Sequence, residues 1–158
     1  MKNKKIKVEE PKISLELSKL LVQKGWEFQS SDWWVETLEH ELDIPRSGPT
    51  TFPSHKPRIL GHEPAESFHI VHGPALTQSS LRNYILNSYK IHIEISLIDN
   101  SREYYFEYTI ISSKERDYND KDMMDSARRY YNINKYSTYP EALDEALTKA
   151  ISMIKTKV

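Results

Sequence analysis

From Lys90 to Ile98 the apolar residues alternate strictly. Ile91, Ile93, Ile95 and Leu97 are separated by His92, Glu94 and Ser96. Side chains of a strand point alternately to its two faces, so this run is a strand with one buried and one wet side. Such a strand fits an antiparallel sheet covered by helices on one face only. Asp99–Arg102 reads as a turn and residues 103–111 as the return strand. A two-residue loop at Asn100-Ser101 and a four-residue loop at 99–102 both pair Ile98 with Glu103. That register sets Ile95 against Phe106, Ile93 against Tyr108 and Ile91 against Ile110 on the core side. On the other side it sets Glu94 against Glu107 and His92 against Thr109. Like charges directly opposite cost up to ~1 kcal/mol. A nearby cation of the chain, or a basic group on a partner, is expected to relieve them.

The second clear segment is residues 137–155. Thr138 and Glu141 have the spacing of a capping box, and Pro140 lies in the first turn. Ala142, Leu143, Ala146, Leu147, Ala150, Ile151 and Ile154 then share one helical face. Ser14 caps an opening helix near residues 15–24, and Gly25 ends it. Trp33 and its neighbours suit a strand near residues 32–38. Residues 68–71 suit a short edge strand, broken by Gly73-Pro74. Thr77 or Ser79 starts a helix carrying Leu81, Ile85 and Leu86.

Two stretches resist this reading. Residues 44–64 hold Pro45, Pro49, Pro53, Pro57 and Pro64, a density that removes amide donors and leaves no regular element. Residues 112–136 are polar, with a short helix expected at residues 121–131 (KDMMDSARRYY). Both read as insertions in a single domain of residues 1–158. The expected architecture is α+β: a small antiparallel sheet of three or four strands with about three helices packed on one face.

Composition excludes more than it selects. The 158 residues are 38% hydrophobic and include ten Tyr, so a folded core is expected. There is no Cys, hence no disulfide and no thiolate metal site. Lys and Arg number 22 against 23 Asp and Glu, which gives no general pull toward nucleic acid or anionic lipid. The basic start MKNKKIK is followed by acidic residues and prolines, unlike a secretory signal. No run approaches the ~20 apolar residues of a membrane helix. A soluble cytoplasmic protein is the expectation.

No catalytic motif stands out. Four glycines form no phosphate loop, and no Gly-x-Ser-x-Gly elbow occurs. The His62–His72 stretch is rich in possible metal ligands. However, His69 and His72 fall on opposite faces of a strand, and Pro64 bars a helix that would align His62 with Glu66. A polar loop is the better reading. No metal, cofactor or catalytic residue is therefore assigned. Arg128-Arg129-Tyr130-Tyr131 could hold a phosphate and stack on a base, though a solvated basic edge explains it as well. The candidate binding residues are His92, Glu94, Tyr105 and Glu107 on the polar side of the hairpin, with Arg128 and Arg129.

Three blocks also resemble a known group. They are ISLELSKLLVQKGW (residues 13–26), PALTQSSLRNYILNSYKIHIEI (residues 74–95) and YPEALDEALTKAI (residues 139–151). In these, about half its length, the chain resembles small uncharacterised proteins of Bacteroidetes phages and prophages. It departs from them at the two long insertions. The resemblance implies a phage setting, with the host cytoplasm as location, and carries no catalytic residue. On that basis the leading expectation is a non-enzymatic accessory protein that binds a host or phage protein, with countering host defence as one role. A binder or sponge for a small nucleotide signal comes second, and an enzyme of unrecognised type third. Homo-oligomerisation stays open.

Overall fold

The computed structural model describes residues 9–37, 57–61, 69–113 and 127–155. The class is α+β, with three helices and six strands among these residues. The strands form two antiparallel three-stranded sheets, and the chain divides into two compact units. The single sheet expected to carry every helix is thus replaced by two sheets that share the helices between them.

The smaller unit is Ile13–Leu76 with Thr156–Val158. Its helix α1 (Leu15–Gln23) starts where Ser14 Oγ accepts the Leu17 amide at 3.2 Å. It stops at Gly25, whose φ of 68° suits a residue without Cβ. The sheet has the order β2-β1-β3, with β1 Trp33–Thr37, β2 Arg58–Leu60 and β3 His69–Pro74. β2 lies inside the proline-rich run, which was expected to hold no regular element. The free stretch between Pro57 and Pro64 leaves room for three pairs onto β1. The remainder, residues 44–56 and 62–64, lies outside the described residues.

Gly73 does not break β3; it lets α1 approach it. A Cβ on Gly73 would stand 2.5 Å from Ser18 Oγ and 3.0 Å from both Ser18 O and Val22 Cγ2. The same Ser18 hydroxyl donates to the Pro74 carbonyl at 2.8 Å. Trp34 Nε1 donates to the Ile13 carbonyl at 3.1 Å, tying β1 to the residue before the helix.

The larger unit is Met1–Lys12 with Thr77–Lys155. It contains α2 (Gln78–Tyr89), β4 (Ile91–Asp99), β5 (Tyr104–Ser113), β6 (Ala127–Tyr136) and α3 (Tyr139–Met153). Thr77 caps α2, and Lys90 at φ 56° turns the chain straight into β4. Thr138 and Glu141 form the expected capping box of α3. Helix α3 packs on α2, β4 and β5, and Leu147 and Ile151 of α3, Leu81 and Ile85 of α2 and Ile93 and Ile110 of the sheet are all at or near zero exposure. Fully burying a side chain of this size contributes roughly 1.5–3 kcal/mol. Gln78 is buried without penalty, because its amide donates to the Pro140 carbonyl at 2.9 Å.

Two expectations about this sheet need correction. First, residues 127–131 are strand, not helix: β6 pairs along β5 and completes the order β4-β5-β6. The supposed polar insertion therefore ends in a structural strand, and residues 114–126 lie outside the described residues. Second, the hairpin register is shifted by two. Asp99 pairs with Tyr104, Ile95 with Tyr108 and Ile93 with Ile110. Asp99 Oδ1 accepts the Ser101 amide at 3.3 Å, and Asn100 Oδ1 accepts the Glu103 amide at 3.2 Å. These side-chain bonds close the loop at residues 100–103. A shift of two leaves every side chain on its predicted face.

Candidate functional site

Helices α2 and α3 pack on the side of the sheet that carries Ile91, Ile93, Tyr108 and Ile110. Alternation sends the intervening residues to the other side. There β4 contributes His92, Glu94, Ser96 and Ile98, while β5 contributes Tyr105, Glu107, Thr109 and Ile111. His92, Glu94 and Ser96 are exposed; Tyr105 and Glu107 are half-buried within the middle strand. Among the described residues of this unit, neither helix lies over this face.

β6 completes the face. Arg129 pairs with Ile111 and Tyr131 with Thr109, so both belong to the open side. Tyr131 is 62% exposed. Their neighbour Tyr130 belongs to the helix side. Its ring stacks on Tyr108, with centroids 6.4 Å apart, and Lys149 of α3 lies 4.7 Å from its centre. Arg128 pairs with Ser112, and its side chain, expected among the binding residues, lies outside the described set.

β6 then bulges. Phe106 pairs with Tyr136 but Tyr108 with Asn132, so residues 133–135 stand against Glu107 alone. The bulge is held by Asn132 Oδ1, which accepts the Asn134 amide at 2.7 Å. It projects Ile133, 85% exposed, and returns Lys135 over the Tyr105 ring at 4.5 Å. Lys135 donates to the Glu103 carboxylate. This contact holds Glu103 below its ordinary pKa and raises that of Lys135.

The Glu94–Glu107 opposition does not exist. Glu94 faces Thr109 and Glu107 faces Ser96, so the two carboxylates are diagonal, and Lys135 lies close enough for Glu107 to act on it by charge. Lys135, Ile98 and Ile111 were not picked out as site residues, and Tyr131 only as part of the Arg128–Tyr131 run. Ile98 and Ile111 follow from strand parity. Lys135 is placed by the bulge, which leaves no mark in its alternation.

In the smaller unit His72 is the extra residue of a bulge between β1 and β3, and its Nε2 lies 3.1 Å from Glu36 Oε2. The side chains of residues 62–69 lie outside the described set, so the other possible ligands weighed in the His62–His72 stretch have no placement. Among the described residues no group of three or more His, Asp or Glu could hold a metal ion. Among them, too, no helix is long and apolar enough to cross a membrane. No protein family, curated protein or solved structure matches the chain.

Proposed function

We propose that the chain is a non-enzymatic binding protein of a phage or prophage. In this reading it engages a host or phage protein through the open face of the β4-β5-β6 sheet. The observation that carries the reading is the composition of that face: exposed Tyr131 and half-buried Tyr105, Ile98 and Ile111, framed by Arg129 and Lys135 along one edge strand and Glu94 along the other, with Glu107 on the middle strand between them. Tyr and Arg dominate the energetic centres of protein interfaces, and charges of both signs set register and exclude wrong partners. A polyanion would meet Glu94, Glu103 and Glu107 as well as the cations, which argues against general nucleic-acid binding. The phage setting rests on the three resembling sequence blocks alone.

A small nucleotide-like ligand is the second reading. Arg129 and Tyr131 are two residues apart on one strand, so a guanidinium and an aromatic ring point the same way. Native mass spectrometry of the protein isolated from its own host separates the two. A protein partner retained in fixed ratio, and lost in Tyr131→Ala, supports protein recognition. A retained nucleotide lost in the same variant supports the second reading. Retention of either by the variant removes the open face as the site.

A further inference from the structure

Charge on the open face is sorted by strand. The edge strand β4 carries Glu94, the middle strand β5 carries Glu107, and the other edge strand β6 carries Arg129 and Lys135. From Ala127 to Tyr136 there is no carboxylate at all, in a chain whose formal charge is only −1. A face that is acidic toward one edge and basic toward the other is its own complement. A two-fold axis running along β5 lays β4 of one copy over β6 of the next, and does so twice.

We propose that the partner of the open face is a second copy of this chain, the two sheets stacking so that Glu94 of each meets the Arg129 edge of the other. This rests on the reading of the face as a protein-recognition surface and adds the identity of the partner. The register supports it. Glu94 is level with Thr109 and Tyr131, and Arg129 is one pair of residues further along, level with Ile111. Stacked sheets lie ~10 Å apart with strands within ~30° of parallel. At that separation the carboxylate lies over the partner's tyrosine and within reach of the adjoining long guanidinium. On the axis, Thr109 and Ile111 meet their own copies, and neither brings a charge. Glu107 also meets its own copy. Lys135 stands beside it, its ammonium favoured first by the Glu103 carboxylate it donates to and then by the charge of Glu107.

The test is sedimentation velocity of the full chain over a concentration series at low and high salt, with charge reversals. The wild type is expected to show a monomer–dimer equilibrium that weakens with salt. Glu94→Arg and Arg129→Glu should each raise the dimer dissociation constant on the order of 10-fold, and the double variant should return to within about 3-fold of wild type. A chain monomeric at its highest soluble concentration overturns the proposal. So does a dimer indifferent to both reversals, or a double variant no better than either single one. If a reversal variant fails to melt cooperatively, Glu94→Gln and Arg129→Gln apply the same test with smaller shifts. A monomeric chain that still loses a co-purified protein in Tyr131→Ala sinks the self-association and leaves the wider reading of the face standing.

Discussion

Gly73 shows how much one missing atom can matter. Its φ of 154° disfavours any side chain, and its would-be Cβ is 2.5 Å from Ser18 Oγ. Gly73→Ala is expected to destabilise the protein by ~2–4 kcal/mol, since strain and overpacking act together. Gly25 is the control. It has φ 68° but open space around its Cβ position, so Gly25→Ala should cost only about 1 kcal/mol. Urea unfolding of both variants decides the matter; equal losses would mean that helix packing at Gly73 contributes nothing. The sequence marks Gly25 because a helix pattern stops there. It marks Gly73 only as a breaker, because the reason for it is Ser18, far away along the chain. Apolar positions were easier to read: Leu147 and Ile151 are fully buried as expected. Leu147→Ala or Ile151→Ala should cost ~2–4 kcal/mol by leaving a cavity. A loss under ~0.5 kcal/mol, the scale of a surface change, would show that this helix face does not pack as described.

Among the elements, those with local signals were the legible ones. α3 carries its cap, its proline and its apolar stripe within one short window. Thr138→Ala is therefore expected to lower stability by ~1 kcal/mol, because the Glu141 amide loses its acceptor. Glu141→Gln should cost less, since an amide oxygen can still accept the Thr138 amide. Comparable melting temperatures for Thr138→Ala and wild type would discount the box. β6 was illegible for the converse reason. Its sequence ARRYYNINKY alternates poorly and has tyrosines on both faces, and the preceding KDMMDS suggests a helix. Pairing with β5 decides its conformation, and that pairing is a tertiary fact. The hairpin falls between these cases. The faces followed from parity, but the register hung on which amides Asp99 and Asn100 would accept. The candidate site inherited the register error, since Glu94 was set against Glu107.

Two units with separate sheets were not visible in composition or length, because each sheet reads as an ordinary small one and chain order does not say which strands pair. What the whole molecule does share is an abundance of tyrosine, ten in all, and this makes alkaline pH a global probe. Tyr108 is 2% exposed, with Tyr130 and Tyr136 beside its ring. Burial pushes its phenol up to about 12 from an ordinary 10.0, against the opposing effect of a hydrogen bond to Asn132. Tyr89 is raised in the same direction by burial and by Tyr84. The unfolded chain ionises these phenols first. Their contribution is fully present below pH 10.0, and it is lost as the pH climbs through about 12. Urea midpoints should accordingly be level up to ~pH 9 and fall steadily above pH ~10. Tyr108→Phe, which keeps the ring and removes the proton, should be less stable or equal at neutral pH yet flatter in the alkaline limb. An alkaline limb of unchanged slope in Tyr108→Phe would mean that this phenol ionises as readily in the folded sheet as in the open chain. The packing of α3 over β5 would then have to be looser at Tyr108 than its burial indicates.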